Sequence, residues 1–220
     1  MNYCIAIDGP AGAGKSTIAK SVAKQLGYIY VDTGAMYRAM AYYFLENNIN
    51  PEDTSSVSNA ISSVDITIAY ENNEQQVILN RNNITSLIRT EEVGNMASKV
   101  ALNKEVRLKL VDLQRQLADK TSVIMDGRDV GTYILPNADV KIYLTASSKV
   151  RANRRWLELK NKGVECDVNE IEHDIIARDE QDMNREFAPL KQADDAVLLD
   201  SSNMSIEEVI NKIIEIANPV

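Results

Sequence analysis

The sequence contains few residues of the kinds that build covalent or metal-based frameworks, and it has no long apolar run. Its two cysteines, Cys4 and Cys166, are far apart and lack a CxxC partner, so neither a disulfide framework nor a zinc site is predicted. With His173 as its one histidine, the chain cannot make a histidine-based metal centre. No apolar run approaches the roughly 18 residues of a membrane span, and no signal-peptide pattern is present. We therefore expect a protein of a reducing, cytoplasmic compartment with no membrane partner.

The chain also has fewer basic than acidic residues. The chain has 24 Lys and Arg against 32 Asp and Glu, which gives a net charge of −8. Non-specific binding to nucleic acid polymers or anionic membranes needs a basic face, so these partners are not expected. A local basic pocket remains compatible with this balance. At 220 residues, with 45% hydrophobic and 25% charged residues, the chain has the length and composition of one globular domain.

Short apolar runs alternate with amphipathic segments along most of the chain. The runs that predict strands are 3–8, 29–31, 122–125, 140–144 and 196–199. The segments that predict helices are 16–26, 35–45, 91–117 with a break near Asn103, 149–160, 169–183 and 206–217. This alternation predicts an α/β fold with a central parallel sheet and helices on both of its faces.

The region from about 50 to 89 interrupts this alternation and is rich in Asn, Ser and Glu. Residues 64–70 and 75–79 alternate apolar and polar side chains on either side of a turn at 71–74, which predicts an antiparallel hairpin. We interpret the region as an insertion that projects from the core. The core is then expected to comprise 1–49, 90–150 and 185–220 of a single domain.

Residues 9–16, GPAGAGKS, match the phosphate-binding motif G-x-x-x-x-G-K-[ST] between a predicted strand and a predicted helix. Glycines let backbone N–H groups curl around phosphate oxygens at the positive end of a helix. Lys15 is then expected to reach the β- and γ-phosphates, and the Ser16 hydroxyl to bind Mg²⁺. A glycine-rich turn that binds nothing is disfavoured by the Lys-Ser pair and both flanking elements. The predicted ATP-binding residues of the loop are Gly9, Pro10, Ala11, Gly12, Ala13, Gly14, Lys15, Ser16 and Thr17.

Several classes of triphosphate-binding protein share this loop. A Ras-type switch would carry an NKxD base-reading motif, which is absent. Motors and large ATPases carry a separate acidic residue at the end of a strand. Asp126 is such a residue, but Gly127, Arg128 and Asp129, which follow it, point to another class of protein.

Charged side chains also follow the predicted strands, where a doubly wound sheet places its ligands. Arg38 and Arg128 come after buried strands, whereas Arg178, Asp182 and Arg185 share one face of a helix. Ion pairs on a solvent-exposed helix would by themselves explain the three helical residues. They explain Arg38 and Arg128 less well, because these two arginines follow buried strands. Phosphoryl transfer between two anions needs several fixed guanidinium groups.

At this point the chain resembles the bacterial cytidylate kinase family of the nucleoside monophosphate kinase superfamily, over nearly its whole length. The motifs that carry the resemblance are GPAGAGKST at 9–17, DTGAMYR at 32–38, IRTEEVGNMASKVA at 88–101, MDGRDVGT at 125–132, KIYLTAS at 141–147, RDEQDMNRE at 178–186 and APL at 188–190. The phosphate loop marks the superfamily, whereas DTGAMYR, DGRD and RDxxDxNR in this order mark the family. The resemblance implies a P-loop three-layer fold, a monophosphate-binding insertion at about 50–89 and a short lid at about 151–168.

The resemblance also implies roles for individual residues. Those implied to bind the CMP phosphate are Arg38, Arg128 and Arg185, with Thr33 at the same site. Those implied to read cytosine are Ser98, Arg107 and Asp129, and those implied to contact the ribose are Arg178 and Asp182. Cytosine offers an N4 amino donor beside N3 and O2 acceptors, which suits a carboxylate acceptor with hydroxyl and guanidinium donors. The lid arginines implied to reach ATP are Arg151 and Arg155, with Arg154 beside them, and the catalytic set is Lys15, Arg128 and Arg185.

The expected activity is transfer of the γ-phosphoryl group of ATP, with Mg²⁺, to CMP or dCMP by a monomeric protein. Two alternatives stay open at this point. One is another P-loop small-molecule kinase, either a UMP/AMP kinase or a shikimate-type kinase. The other is a non-catalytic regulator that uses ATP as a switch, although a switch does not need a second anion site.

Overall fold

Five parallel strands form the central sheet of the computed structural model, which describes residues 2–72 and 74–218. The strands of the chain are β1 (Cys4–Asp8), β2 (Ile29–Asp32), β3 (Ile66–Glu71), β4 (Glu74–Leu79), β5 (Asn82–Asn83), β6 (Val123–Gly127), β7 (Val140–Thr145) and β8 (Val197–Asp200). The central sheet has the order β2-β6-β1-β7-β8, and each neighbouring pair is parallel. The predicted parallel sheet is confirmed, and the carboxyl ends of its strands therefore share one edge.

Helices cover both faces of this sheet. They are α1 (Lys15–Leu26), α2 (Thr33–Glu46), α3 (Thr54–Ser63), α4 (Glu91–Val100), α5 (Lys104–Lys120), α6 (Ser148–Asn161), α7 (Val168–Asn184) and α8 (Ile206–Ala217). Ile5 and Ile7 of the middle strand pack into a cluster with α1 and α8, whereas Ala6 packs into a second cluster with α2 and α5. Because side chains alternate along a strand, the two clusters lie on opposite faces, and the three-layer α/β fold is confirmed.

The region of about 50–89, which we interpret as an insertion and refer to by that name, contains the predicted hairpin, since β3 and β4 are antiparallel. Asn73, in the predicted turn, lies outside the described residues. The insertion also contains α3 and the short strand β5, which the sequence pattern did not indicate. Val57 and Val77 of this region belong to the same buried cluster as α2, so the insertion packs directly on the helix that follows β2.

The predicted break in the long helical segment 91–117 is confirmed. α4 ends at Val100, and Asn103 caps α5 by accepting hydrogen bonds from the backbone N–H groups of Glu105 and Val106.

A π-helical turn at Val130–Ile134, which was not predicted, follows β6 at the edge where the strands end. Among the described residues, no helix combines the length and apolar character needed to cross a membrane.

Candidate active site

The predicted phosphate-binding loop connects β1 to α1 at the carboxyl edge of the sheet. Gly9 has φ +149°, and a Cβ atom there would lie 1.9 Å from the carbonyl oxygen of Leu144, so only glycine fits. Gly12 and Gly14 have φ values of +73° and +86°, in the left-handed region. These conformations let the chain turn sharply before the first residues of α1, whose free N–H groups and helix dipole favour an anion.

Lys15 is the first residue of α1, and its side chain is buried in the site. Its Nζ donates a hydrogen bond of 2.7 Å to the carbonyl oxygen of Pro10. Burial, together with the positive charge of Arg128, lowers the pKa of Lys15 to about 7, whereas Asp126 and Asp8 act in the opposite direction. A bound polyphosphate would supply negative charge at this ammonium group and restore its protonation at neutral pH.

Asp126 ends β6 and lies beside the loop, where two hydroxyl groups hold its carboxylate. Ser16 Oγ donates to Oδ2 at 2.9 Å, and the phenol of Tyr30 donates to Oδ1 at 2.8 Å. Burial and the neighbouring Asp32 raise the pKa of Asp126 to about 6, with Lys15 opposing that rise. A hydroxyl and a carboxylate in contact are oxygen ligands of the kind that Mg²⁺ prefers. Tyr30 was missed because an aromatic residue in a strand carries no signal for this contact.

Asp8, the last residue of β1, holds the π-helical turn against the sheet. Its carboxylate accepts hydrogen bonds of 2.8 Å and 2.7 Å from the backbone N–H groups of Val130 and Gly131. Burial raises the pKa of Asp8 to about 6 despite these two bonds. The contact fixes the chain immediately after Asp129, and the sequence did not indicate it.

The predicted acceptor-side residues form a continuous row of alternating charges. Arg107, which is 1% exposed, donates to Asp129 Oδ2 at 2.5 Å, and Arg185 lies 3.2 Å from Asp129 Oδ1. Arg185 also lies 3.4 Å from Asp182 Oδ1, and Arg128 Nε donates to Asp182 Oδ2 at 2.7 Å. The structure thus brings together residues from α5, the end of β6 and α7, and we call these five residues the charge row.

Asp32 caps α2 and orients Arg38 beside the charge row. Its Oδ1 accepts from the backbone N–H of Ala35 at 2.9 Å, and its Oδ2 accepts from Arg38 Nη2 at 2.8 Å and from Arg89 Nη2 at 3.0 Å. Burial alone would raise the pKa of Asp32, but the two guanidinium groups and the Ala35 amide hold it below its usual value. Arg89 is the last residue of the insertion, and sequence reasoning assigned it no role.

Two hydroxyl residues and one arginine complete the predicted acceptor site. Thr33 Oγ1 donates to the carbonyl oxygen of Asp126 at 2.7 Å, and Ser98 Oγ donates to the carbonyl oxygen of Gly94 at 3.4 Å. Burial and the charge of Arg128 lower the pKa of Arg178 from its ordinary value. The side chains of Thr33, Ser98 and Arg178 all line the cavity described below.

The three lid arginines differ in their surroundings. Arg151 is buried and donates to the carbonyl oxygen of Ala11, whereas Arg154 donates to the carbonyl oxygen of Ser201 at 2.8 Å. Arg155 is half-exposed and pairs with Glu158 at 2.9 Å. All three arginines line the cavity, and the assignment of Arg151 and Arg155 to ATP stays a prediction.

One cavity of about 570 Å³ joins the loop to the acceptor-side residues. Every predicted site residue except Gly9, Pro10 and Ala11 lines it. The cavity therefore has a polyphosphate-binding end at α1 and a second, arginine-rich end at the charge row. Two anionic ligands can face each other in such a cleft, which is the arrangement that transfer of a group between them requires.

The chain matches known proteins over nearly its full length. Residues 5–219 match the family model of cytidylate kinase. The chain is 52% identical over 212 residues to the cytidylate kinase of Caldicellulosiruptor bescii, covering 96% of this chain and 94% of the relative. It is 49% identical over 218 residues to the cytidylate kinase of Lactobacillus johnsonii, covering 98% and 95%.

A solved structure of an uncharacterized protein from Eubacterium ventriosum superposes with a TM-score of 0.57, and 99% of each chain is covered. The identity of that pair is 12%, so the likeness concerns the fold alone. The sequence matches show which family the chain belongs to. They favour cytidylate kinase over another P-loop small-molecule kinase. This chain belongs to the cytidylate kinase family.

Proposed function

We propose that the protein transfers the γ-phosphoryl group of ATP to CMP or dCMP, giving ADP and CDP or dCDP. The observation that carries the proposal is the arginine-rich charge row facing the phosphate loop across one cavity. A protein that used ATP only as a switch would not need this second anion site. Membership of the cytidylate kinase family supports the nature of the acceptor.

In this proposal the loop from Gly9 to Thr17 binds the triphosphate of ATP, and Lys15 stabilises the transferring group. The buried ammonium lies in a region shielded from water, so its attraction for the charge that develops on the γ-phosphoryl oxygens is strong. Its hydrogen bond to Pro10 fixes the ammonium before ATP arrives, so little reorganisation is needed during transfer. Arg151 and Arg155 are proposed to contact the same triphosphate from the lid.

Ser16 and Asp126 are the residues that would hold Mg²⁺ with ATP. Their oxygens lie 2.9 Å apart and fit a hard cation. Across 2–72 and 74–218, no group of three His, Cys, Asp or Glu side chains is arranged to hold a metal, which fits an ion that arrives with the nucleotide. The ion, when bound, neutralises charge on the β- and γ-phosphates.

The acceptor phosphate is proposed to bind Arg38, Arg128 and Arg185, near Thr33. Each of these arginines already pairs with a carboxylate, so its guanidinium plane is oriented before substrate binds. CMP phosphate would then take up the donors that face the cavity. Arg128 and Arg185 would also stabilise the charge that builds during transfer, which is why we group them with Lys15 as catalytic residues.

Cytosine is proposed to contact Ser98, Arg107 and Asp129, and the ribose Arg178 and Asp182. The carboxylate of Asp129 is held by a guanidinium on each oxygen, so its position is well defined. A fixed carboxylate accepts a hydrogen bond from the N4 amino group of cytosine but repels the O4 carbonyl of uracil. Base choice therefore rests on an acceptor that cannot become a donor while it stays ionised.

We further propose that the chain works as one domain, a monomer in the cytoplasm, with core 1–49, 90–150 and 185–220. The insertion at about 50–89 and the lid at about 151–168 would close over the substrates and exclude water, which would otherwise compete as acceptor. Both cysteines are free thiols, which is in keeping with a reducing compartment. Light scattering coupled to size exclusion would test the monomer.

An acceptor panel tests the proposed function. ADP release from ATP and Mg²⁺ would be measured with CMP, dCMP, UMP, AMP and shikimate at matched concentrations, and without acceptor. We expect the highest kcat/KM for CMP or dCMP. Preferential use of another acceptor would contradict the proposed substrate, and ADP release that no acceptor stimulates would contradict the proposed transfer.

A further inference from the structure

Arg151 of α6 and Asp179 of α7 hold a single residue of the phosphate loop by both of its backbone groups. The N–H of Ala11 donates to Asp179 Oδ1 at 2.9 Å, and the carbonyl oxygen of Ala11 accepts from Arg151 Nη1 at 2.7 Å. Arg151 Nη1 also lies 2.6 Å from Asp179 Oδ2. These contacts form a closed ring of hydrogen bonds between α6, α7 and the loop, which we call the Ala11 ring.

The Ala11 ring is buried. Arg151 and Asp179 are each 6% exposed, and Arg151 Nε makes a further hydrogen bond of 2.8 Å to the carbonyl oxygen of Ala146. Removing one member of a buried ion pair leaves an uncompensated charge, whereas an intact and fully hydrogen-bonded pair fixes its geometry. Asp179 therefore has its carboxylate committed on both oxygens, and no catalytic or substrate-binding role was predicted for it.

The Ala11 ring holds the loop beside its phosphate-binding turn, and Arg151 of the ring also lines the cavity. Ala11 does not line the cavity, whereas Gly12, the next residue, does. A Cβ atom at Gly12 would lie 3.3 Å from Arg151 Cβ and 3.7 Å from Ile175 Cδ1, so α6 and α7 pack directly against the turn of the loop. The positions of α6 and α7 and the curvature of the loop are thus linked through one residue.

We propose that Asp179 is a positioning residue for phosphoryl transfer, which holds the phosphate loop in its ATP-binding curvature through Ala11 and Arg151. The inference rests on the proposed function, because it takes ATP as the ligand of the loop. Without the ring, the loop must be ordered when ATP binds, and that cost appears as weaker ATP affinity. The CMP site uses other side chains, so its affinity should change little.

The test compares two variants with the wild-type protein. In D179N the shape is kept, and one amide oxygen can still accept from Ala11, but the charge that pairs with Arg151 is lost. In the double variant D179L/R151M both charges are removed, so no unpaired charge is buried and the fold is expected to survive. Because Arg151 is itself proposed to contact ATP, this variant is compared by hydrogen exchange at Ala11 and not by ATP affinity. D139A is the matched control, since Asp139 accepts a backbone hydrogen bond from Cys4 at the opposite edge of the sheet.

Three readouts separate positioning from stability: ATP affinity by calorimetry, CMP affinity by calorimetry, and hydrogen exchange at the Ala11 amide. We expect ATP affinity to fall about tenfold in D179N, with CMP affinity within about twofold. Exchange at the Ala11 amide should be slow in the wild-type protein and in D139A, and faster in both variants.

Two results would overturn the inference. One is an ATP affinity in folded D179N that falls by less than about twofold, or by no more than the CMP affinity falls. The other is wild-type exchange at Ala11 as fast as in an exposed loop, which decides the question even where the variants do not fold. Failure of the wild-type protein to phosphorylate CMP would overturn the proposed function instead, and it would leave the ATP-binding comparison interpretable.

Discussion

The substitution Asp129→Asn tests how the protein distinguishes cytosine from uracil. The carboxylate of Asp129 lies between Arg107 and Arg185, at 2.5 Å and 3.2 Å. Asparagine has nearly the same shape, so the substitution leaves no cavity. Its amide oxygen can still accept a hydrogen bond from Arg107. Asparagine differs in having an amide group that both donates and accepts.

The magnitude follows from the two base edges. A charge-assisted hydrogen bond contributes about 1.5–3 kcal/mol, whereas a neutral one contributes about 1 kcal/mol. In the asparagine variant the amide can accept from the N4 amino group of cytosine or donate to O4 of uracil with similar strength. The ratio of kcat/KM for CMP to that for UMP should therefore fall by at least about tenfold, which corresponds to about 1.4 kcal/mol.

Coupled ADP-release assays with CMP and UMP at saturating ATP measure this ratio, and thermal unfolding reports on the fold. Asp182→Asn is the matched control, because Asp182 belongs to the same charge row but is proposed to contact the ribose, which CMP and UMP share. It should lower both values of kcat/KM by a similar factor. Equal losses for CMP and UMP in Asp129→Asn would refute the assignment of Asp129 to the base.

Three further predictions concern the loop and its neighbours. Lys15→Ala should lower kcat by about a thousandfold or more, because the ammonium stabilises the transferring group, and should not lower Tm, because burying that charge does not stabilise the fold; near-normal CDP formation would contradict this role. Tyr30→Phe removes a hydrogen bond to Asp126 and should raise the Mg²⁺ concentration for half-maximal velocity about tenfold; an unchanged Mg²⁺ dependence would count against it. The raised pKa of Asp126, about 6, means that the folded protein keeps a proton that the unfolded chain loses above about pH 4. Wild-type stability should thus fall relative to Asp126→Asn between about pH 4 and 6, by on the order of 3 kcal/mol in urea unfolding, and a constant difference would refute this.

Much of the fold was predictable because its signals are local. The buried strands of the central sheet are short apolar runs, and the loop glycines are required by local backbone conformation. The elements that were missed lack such signals. α3 has a serine-rich sequence with Val57 and Ala60 as its buried residues, and β5 consists of Asn82 and Asn83 alone. Their structure depends on packing against the rest of the insertion and α2.

The site divides in the same way. The predicted site residues lie within the family motifs or beside them, and apart from the start of the loop they line one cavity. Tyr30 and Asp179 were missed as supporting residues, because their partners lie 96 and 168 positions away along the chain. Arg89 was quoted within a motif but given no role, since only the folded insertion brings it to Asp32. Motifs therefore indicate which groups face the substrates, while the groups that orient them emerge from tertiary contacts.

The charge row has a consequence for which anions can occupy the site. Its three guanidinium groups are partly neutralised by two carboxylates, so the empty pocket is far from a bare positive patch. A lone inorganic anion could bind these arginines only by weakening their ion pairs with Asp129 and Asp182. Such an anion has no donor group that could replace the hydrogen bonds those carboxylates would lose. A nucleotide that brings a phosphate, a sugar hydroxyl and an amino group together satisfies both signs of charge at once. The charge row therefore favours ligands that carry both a phosphate and hydrogen-bond donors. We expect free phosphate and pyrophosphate to be weak competitors of CMP.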